Sequence, residues 1–353
     1  MVLAMVAGLT FLVGCKEKSQ SDSASSARPA ANTPASGSTS SSAKAASAAP
    51  ASGGRFLLYY YPSRALFESK DGKAWTKIGG SDAWVTQMAA GADGTLYAAD
   101  MGEKPNVKTS TDGQSWTKVE PSAETPKGPN SSYVLCSNPS GAEKAVYELS
   151  STGAFYASSD GGKSFQEMTR PVAKDAKGEA LGFSGSCAVS PDGAKILVQG
   201  WYFDPAGPVL AITEDRGKTW KKIKSPTKRN ESVGVAWIDG GIFYAGFDLE
   251  AGMQSAWTTT DGGEHWTKTG TTLLAPQSKG SFYSYRKFAS DGHGVVVGVE
   301  AASTGKDEDN KWPGATFYSK DSGKTFEVLP FAVGADPTPE VSDEYMALAY
   351  VAK

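Results

Sequence analysis

Few residues of this chain could carry out chemistry on a substrate. The sequence contains two histidines, His265 and His293, and three cysteines. A catalytic zinc site needs several His, Cys or acidic ligands, and a Ser/His/Asp triad needs a histidine beside the nucleophile. His265 lies in a repeated turn motif and His293 follows an Asp-Gly turn, so neither is placed for such a role. We therefore predict no metal, no cofactor and no nucleophilic triad.

Aromatic residues near carboxylates form a second pattern, which suits binding better than bond cleavage. Aromatic rings stack on sugar rings or peptide side chains, and nearby polar groups orient the ligand. The candidate binding residues are Trp201, Tyr202, Asp204, Asp248 and Trp312. Trp201 and Tyr202 could equally be core residues of a strand. The charged segment 306–311 before Trp312 could equally be a solvated loop.

The composition limits the fold that positions these residues. The 353 residues carry a formal net charge of -3, whereas binding to nucleic acid needs a strongly basic face. Forty glycines and nine tryptophans favour a turn-rich, all-β chain. We therefore expect neither a nucleic-acid binder nor a helical bundle.

One short motif occurs six times, with the pattern S/T-x-D-x-G-x-S/T-W/F, and its first two copies are one residue shorter. Its aspartates are Asp71, Asp112, Asp160, Asp215, Asp261 and Asp321. An Asp carboxylate can accept backbone N–H groups a few residues later, and glycine supplies a positive φ. A calcium loop would need oxygen ligands over about twelve residues. The motif is therefore predicted to be a structural turn.

These copies resemble the Asp-box, or BNR repeat, of sialidase-like β-propellers, and the resemblance covers residues 55–353. Successive aspartates are 41, 48, 55, 46 and 60 residues apart. Propeller blades of four strands repeat every ~40–50 residues. We predict an all-β, six-bladed propeller in which each blade has strands A to D and the box lies between C and D. The boxes and the A–B turns then share one face. The B–C and D–A connections form the other face, where we place the ligand.

The two ends of the propeller complement each other. The segment 56–61 serves as strand B of the first blade, but no strand A precedes it. The segment 345–351 is a lone strand at the C-terminus. We predict that this C-terminal strand supplies the missing strand A and closes the ring, since closure removes open sheet edges.

Two cysteines, Cys136 and Cys187, fall in strand A of consecutive blades. A disulfide between neighbouring blades and two separate buried thiols both fit this placement.

The resemblance also raises the question of sialidase activity. Sialidases of this family use three arginines, a tyrosine paired with a glutamate, and an aspartic acid. By residue type and order, the matching set here is Arg64, Arg229, Arg286, Glu231 and Tyr283, with Tyr285 as an alternative tyrosine. The family's Arg-Ile-Pro motif is absent near the first blade, which puts this set in doubt. We favour a non-catalytic binding module, and a glycan-cleaving enzyme is the alternative.

The N-terminus predicts a membrane anchor. Residues 1–14 resemble the apolar part of a secretory signal, and they are shorter than the ~20 residues that a spanning helix needs. The sequence Leu-Val-Gly-Cys at 12–15 resembles a bacterial lipobox, which implies acylation of Cys15. No Lys or Arg precedes the apolar run, which departs from that pattern. Residues 15–54 are rich in Ser and Ala and predict a disordered tether.

These features together predict a monomeric cell-envelope lipoprotein held to the membrane by its N-terminal lipid. Lys16 after the cysteine favours the outer membrane or the cell surface over the inner membrane. The predicted partner is a protein or a glycan on the B–C face.

Overall fold

A computed structural model describes most of the chain after residue 52. The described residues are 53–61, 64–99, 107–120, 132–138, 144–150, 153–171, 184–202, 207–227, 232–248, 253–270, 273, 286–300, 315–331 and 345–352. The chain divides into two compact units, Met1–Ala45 and Ala46–Lys353, and all the described residues belong to the second. The predicted signal at 1–14, Cys15 and almost all of the predicted tether lie outside the described residues.

The strands form six antiparallel sheets of four strands, which confirms the predicted six-bladed propeller. Blade 1 contains β24 (Tyr345–Val351), β1 (Arg55–Tyr61), β2 (Ala65–Ser69) and β3 (Thr76–Gly80); blade 2 contains β4 (Gln87–Ala90), β5 (Leu96–Ala99), β6 (Val107–Ser110) and β7 (Thr117–Lys118). Blade 3 contains β8 (Ser132–Ser137), β9 (Val146–Ser150), β10 (Phe155–Ser158) and β11 (Gln166–Glu167); blade 4 contains β12 (Ser184–Val189), β13 (Ile196–Tyr202), β14 (Gly207–Thr213) and β15 (Lys221–Lys222). Blade 5 contains β16 (Ser232–Ile238), β17 (Gly241–Asp248), β18 (Met253–Thr259) and β19 (Thr267–Lys268); blade 6 contains β20 (Arg286–Ser290), β21 (Val296–Glu300), β22 (Ala315–Ser319) and β23 (Glu327–Pro330).

Ring closure follows the prediction. The C-terminal strand β24 pairs antiparallel with β1 along its whole length, from Arg55 opposite Val351 to Tyr61 opposite Tyr345. An ion pair between Lys73, in the box of blade 1, and Glu327, in the outer strand of blade 6, links these two blades. The ring is therefore closed by strand pairing within blade 1, and the ion pair links blade 1 to blade 6.

The hydrophobic core consists of six apolar clusters, each between two neighbouring blades. Between blades 5 and 6, for example, Phe243, Phe317 and Phe326 pack together. Because every sheet is covered on both faces, the middle strands β9, β21 and β22 are buried at every position. In blades 2 to 5 the outermost strands are only two residues long and exposed, and such short edges disfavour pairing with other chains.

The repeated motif forms the predicted structural turn, shown here by the fourth copy. Thr213 Oγ1 donates to Asp215 Oδ1 at 2.7 Å and accepts the Gly217 N–H at 2.9 Å. The hydroxyl and the backbone N–H of Thr219 both donate to the Asp215 carboxylate, at 2.6 and 2.8 Å. These hydrogen bonds, the Thr219 hydroxyl first, lower the pKa of Asp215 to about 2. In the first, shorter copy, Asp71 instead accepts the N–H groups two and three residues later.

The aromatic residue of the motif joins its blade to the preceding one. Trp220 of blade 4 donates its indole N–H to the carbonyl of Thr169, just after the outer strand of blade 3, at 2.9 Å. Trp266 of blade 5 donates likewise to Lys224 after the outer strand of blade 4, at 2.8 Å. The boxes therefore stabilise contacts between blades as well as the turns themselves.

A pair of adjacent glycines tests how tightly a box packs on the preceding blade. Gly262 and Gly263 both have positive φ, 74° and 91°. A Cβ on Gly263 would lie 1.8 Å from Cγ2 of Ile223, whereas a Cβ on Gly262 would have no neighbour within 4 Å. We expect Gly262→Ala to lower the free energy of unfolding by about 1 kcal/mol, from backbone strain alone. Gly263→Ala adds overpacking, and we expect a loss of about 3 kcal/mol.

Urea denaturation of the two variants measures this difference directly. Equal losses for Gly262→Ala and Gly263→Ala would show that the box does not pack closely on blade 4.

The two cysteines that the sequence placed in neighbouring inner strands form a disulfide. Cys136 of β8 and Cys187 of β12 are bonded, with Cα atoms 5.8 Å apart. Of the two alternatives left by the sequence, the structure has the covalent link between blades 3 and 4. Within the described ranges, no helix is long and apolar enough to cross a membrane.

Candidate binding site

Among the residues whose side-chain burial the structure describes, Trp84 is the one large hydrophobic residue that is exposed, with 45% of its surface accessible. It lies in the connection from β3 to β4, which links the outer strand of blade 1 to the inner strand of blade 2. An exposed aromatic side chain on a connection is a common component of binding sites. Trp84 is therefore the first residue of the candidate site.

Arg64 lies beside Trp84. Its guanidinium carbon is 4.9 Å from the centroid of the indole ring, within the range of a cation–π contact. Arg64 directly precedes β2, and its φ of 54° is unusual for a residue with a Cβ. Backbone strain of this kind is often found at functional positions.

Hydrogen bonds hold the two connections of this site together. The N–H of Ser81 donates to the carbonyl of Arg64 at 2.8 Å. The buried hydroxyl of Tyr59 donates to the carbonyl of Ala83 at 3.0 Å, directly before Trp84. The backbone on either side of the exposed pair is therefore fixed by the blade, which lowers the conformational entropy that a ligand would have to remove.

The same connection also contacts the second box. Asp82 donates its N–H to the carbonyl of Gln114 at 3.0 Å, and its Oδ1 accepts the N–H of Trp116 at 3.1 Å. This D–A connection therefore contacts both the B–C connection of its own blade, at Arg64, and the box of the next blade. The box of one blade reaches the end of the outer strand of the blade before it, as the contacts of Trp220 and Trp266 also show.

The Arg64–Trp84 pair offers a flat aromatic surface next to a permanent positive charge. An indole face stacks on the C–H side of a sugar ring or on a planar side chain. A guanidinium binds carboxylates with two parallel N–H donors, and it keeps this capacity when it lies over an aromatic ring. The pair is therefore suited to a ligand that carries both a ring and a carboxylate.

The sequence-predicted binding residues are not gathered at this pair. Trp201 and Tyr202 belong to β13 and pair with Pro208 and Gly207 of β14. Of the two placements that the sequence left open, a loop and a strand, the structure has both residues in the strand. Asp248 ends β17 and forms an ion pair with Lys268. Asp204 and Trp312 lie outside the described residues, and the binding role of all five stays a prediction.

The residues of the sialidase-like set are only partly described. Arg64 contacts Trp84, and Arg286 begins β20, the inner strand of blade 6. Arg229, Glu231 and Tyr283 lie outside the described residues, as does Tyr285. Within the residues that the structure covers, no group of three or more His, Cys, Asp or Glu side chains could hold a metal ion.

Sequence reasoning missed Trp84. The five tryptophans outside the boxes include Trp84, which follows a Gly-Gly-Ser-Asp stretch typical of a turn. Trp84 therefore follows a predicted turn and is not part of an alternating strand pattern. This position was the signal in the sequence that its side chain would be exposed. Its contact with Arg64 could not be read from the sequence, since the two residues lie on separate connections.

Comparison with known proteins supports the architecture. A family model described as the DUF6242 beta propeller domain matches residues 4–232. TolB from Acinetobacter baumannii is similar in structure, with 13% identity, a TM-score of 0.53, and 85% of this chain and 67% of that chain covered. A putative TolB from Agrobacterium tumefaciens has 14% identity and a TM-score of 0.51, covering 85% of this chain and 99% of that chain.

A structure of YCF48 bound to D1 peptide matches with 18% identity and a TM-score of 0.42, covering 80% of this chain and 78% of that chain. No curated protein matches this chain by sequence. At these identities the structural likeness shows the propeller fold alone, because one fold serves many functions.

Proposed function

Since this chain belongs to the family of DUF6242 β-propeller domains, we propose that it is a non-catalytic binding module of the cell envelope. Its ligand is an acidic glycan that binds at Arg64 and Trp84. The observation that carries this proposal is the exposed Trp84 with the Arg64 guanidinium 4.9 Å from its ring. Trp84 stacks on a sugar ring while Arg64 binds the carboxylate of the glycan.

A non-catalytic role is favoured over glycan cleavage by the arrangement of the described groups. Glycoside hydrolysis uses two carboxyl groups on either side of the scissile bond, ~5–10 Å apart. The candidate carboxylate Asp248 is engaged by Lys268. Turnover of a labelled sialoside, lost on Arg286→Ala, would instead establish the glycan-cleaving alternative.

The location in the envelope is part of the same proposal. The signal-like residues 1–14, Cys15 and the Ser/Ala-rich segment up to residue 54 support a lipid anchor followed by a tether. The Cys136–Cys187 disulfide supports an oxidising compartment, since cytosolic reductants keep most thiols reduced. Labelling with radioactive palmitate, abolished by Cys15→Ala, is the expected result. Unchanged labelling of that variant would contradict the anchor.

Replacing Arg64 by glycine separates binding from stability. Arg64 has a φ of 54°, which glycine adopts without strain. We expect Arg64→Gly to abolish binding of oligogalacturonate while raising the free energy of unfolding by about 1 kcal/mol. Isothermal titration calorimetry measures the binding, and urea denaturation measures the stability.

A matched control variant is available in a distant box. Arg216 has a φ of 61° and lies in the fourth box, in blade 4. We expect Arg216→Gly to bind as the wild type does. The methyl-esterified form of oligogalacturonate lacks the negative charge of the carboxylates. It should bind to none of the three proteins, the wild type, Arg64→Gly and Arg216→Gly. Equal binding of the charged and esterified forms to the wild type, or unchanged binding by Arg64→Gly, would disprove the acidic-glycan proposal.

A further inference from the structure

We propose that the cavity on the axis of the ring is a second binding site, which takes a small organic ammonium ion. This axial cavity has a volume of about 230 Å³ and is lined by residues of all six inner strands, β24, β4, β8, β12, β16 and β20. It also reaches the A–B turns of blades 4 and 6 at Pro191 and at Asp291–His293. It is therefore a different region of the molecule from the Arg64–Trp84 pair.

Most of the wall of the axial cavity is apolar. Met88, Trp237, Phe288 and Tyr350 contribute large side chains from four different blades. Such a wall, with a few polar groups, is the usual composition of a small-molecule site. A volume of 230 Å³ corresponds to about eight water molecules at ~30 Å³ each, so the cavity has room for a ligand with one ring.

In the part of the chain that the structure describes, two polar atoms of residues that line this cavity have no hydrogen-bond partner. They are Oγ of Ser137 in blade 3 and Oδ2 of Asp291 in blade 6, and both residues are more than nine-tenths buried. A buried polar atom without a partner costs about 1–3 kcal/mol, and more when it is charged. A ligand with a hydrogen-bond donor would remove this cost by bonding to these atoms. The cost remains when the cavity is empty or holds a purely apolar ligand.

The carboxylate of Asp291 is held in a fixed orientation. Its Oδ1 accepts the N–H groups of His293 and Val295, at 2.7 and 2.9 Å. Those bonds fix the turn between β20 and β21 and leave Oδ2 for another partner. Because Asp291 is an acceptor in its charged form, the missing partner is a donor, and a cationic donor forms the stronger hydrogen bond.

Charge and aromatic content both favour an organic cation. The titratable side chains among the lining residues are Asp291, His293 and Tyr350, so no lysine or arginine of the wall neutralises the carboxylate. The rings of Trp237 and Tyr350 attract cations through their faces. An anionic ligand would be repelled by Asp291, and a neutral one would leave the carboxylate without a counter-charge.

The walls are also firmly fixed in place. Cys136 and Cys187, which form the disulfide between blades 3 and 4, both line the cavity. The indole N–H of Trp237 donates to the carbonyl of Ala188 in blade 4 at 3.0 Å. A site formed before the ligand arrives binds more tightly, because little conformational entropy is lost.

Three probes of similar shape test the charge preference: phenethylammonium, phenethyl alcohol and 3-phenylpropionate. Each is titrated into the full chain by calorimetry at low salt. We expect phenethylammonium to bind at least about tenfold more tightly than the alcohol, and the carboxylate not to bind. Binding of all three alike, or of none, would overturn the proposal.

Two variants locate the binding. Asp291→Asn keeps Oδ1 as the acceptor for His293 and Val295, so the turn is retained while the charge is lost. We expect it to bind the ammonium ion no better than the alcohol. Ala352→Trp places a large ring on an exposed residue of the lining and should block both ligands.

The control variant is Trp84→Ala, which removes the ring of the proposed glycan site. It should leave phenethylammonium binding unchanged, because the axial cavity is a separate site. Circular dichroism confirms that each variant is folded. Unchanged ammonium binding by Asp291→Asn or Ala352→Trp would show that the ion binds elsewhere and would disprove the inference.

Discussion

Replacing Cys136 and Cys187 together by alanine is expected to lower the free energy of unfolding by about 4 kcal/mol. The disulfide closes a segment of 51 residues, and crosslinking a loop of this length restricts the unfolded chain by about that amount. The bond joins blades 3 and 4, whereas the first and last strands of the ring, β1 and β24, pair within blade 1. The strand pairing and the disulfide therefore stabilise different parts of the ring.

Reduction of the wild-type protein provides an independent measurement. Dithiothreitol should lower the urea midpoint of the wild type to that of the double variant, and it should leave the double variant unchanged. A loss below about 1 kcal/mol would mean that packing between the inner strands alone keeps blades 3 and 4 together. The thermal unfolding midpoint of the reduced wild type should fall together with its urea midpoint, since the disulfide restricts the unfolded chain in both measurements.

Stability is expected to fall as the pH rises from 5 to 8, because of one buried carboxyl group. Glu148 lies in the middle of β9 with none of its surface exposed, and among the described residues neither of its carboxyl oxygens has a hydrogen-bond partner. Its cross-strand neighbours are Leu135 and Tyr156. Burial raises the pKa of Glu148 from 4.5 to about 8.

The direction of the effect follows from the two pKa values. Below pH 4.5 the carboxyl is neutral in both states, so it does not change stability with pH. Between pH 4.5 and 8 it is ionised in the unfolded chain and neutral in the folded protein. Stability therefore falls by up to 1.4 kcal/mol per pH unit and by about 3–5 kcal/mol in total. Above pH 8 both states are ionised and the loss is complete.

Glu148→Gln is the matched variant, because glutamine has the shape of the neutral acid and does not titrate. We expect its free energy of unfolding to vary little between pH 5 and 8, while that of the wild type falls. Tyr156 has a pKa raised by burial and by the charge of Glu167, so it does not ionise in this window. The same slope in both proteins would assign the pH dependence to other groups.

At acidic pH the box aspartates act in the opposite direction. Hydrogen bonds lower the pKa of Asp215, and Asp112 shows a shift in the same direction with backbone N–H groups as the main cause. The stability that they contribute is present above the ordinary aspartate pKa and is lost as the pH falls through the lowered value. Wild-type stability is therefore expected to be greatest near pH 5.

The number of blades could be predicted because each blade contains one box, and each box is recognisable from a few consecutive residues. In each box the Asp, the Ser or Thr before it and the glycine after it interact within a few residues, so one short motif specifies one turn. The hydrogen bonds of Asp215 and Asp321 are the same set at the same offsets. Ring closure could also be predicted, since a chain that begins without strand A and ends with an extra strand can complete the blade only one way.

Interactions between distant segments could not be predicted in this way. The sequence left the pairing of Cys136 and Cys187 open, because both a disulfide and separate thiols fit neighbouring inner strands. The sequence also left open whether Trp201 and Tyr202 lie on a loop or in a strand, and in the structure β13 continues through them and pairs with β14. The length of each strand is decided by its partners in the sheet, and a sequence pattern does not identify those partners.

The sequence by itself determined the fold class, the six blades and the way the ring closes, because local turns and strand order suffice for these. Only the tertiary structure placed Arg64 over Trp84, lined a cavity with Asp291 and Ser137, and buried Glu148. The reason is the packing of blades against each other on both faces. A middle strand such as β9 then has no solvent-exposed side, so the alternation of its residues no longer indicates which side chains are buried.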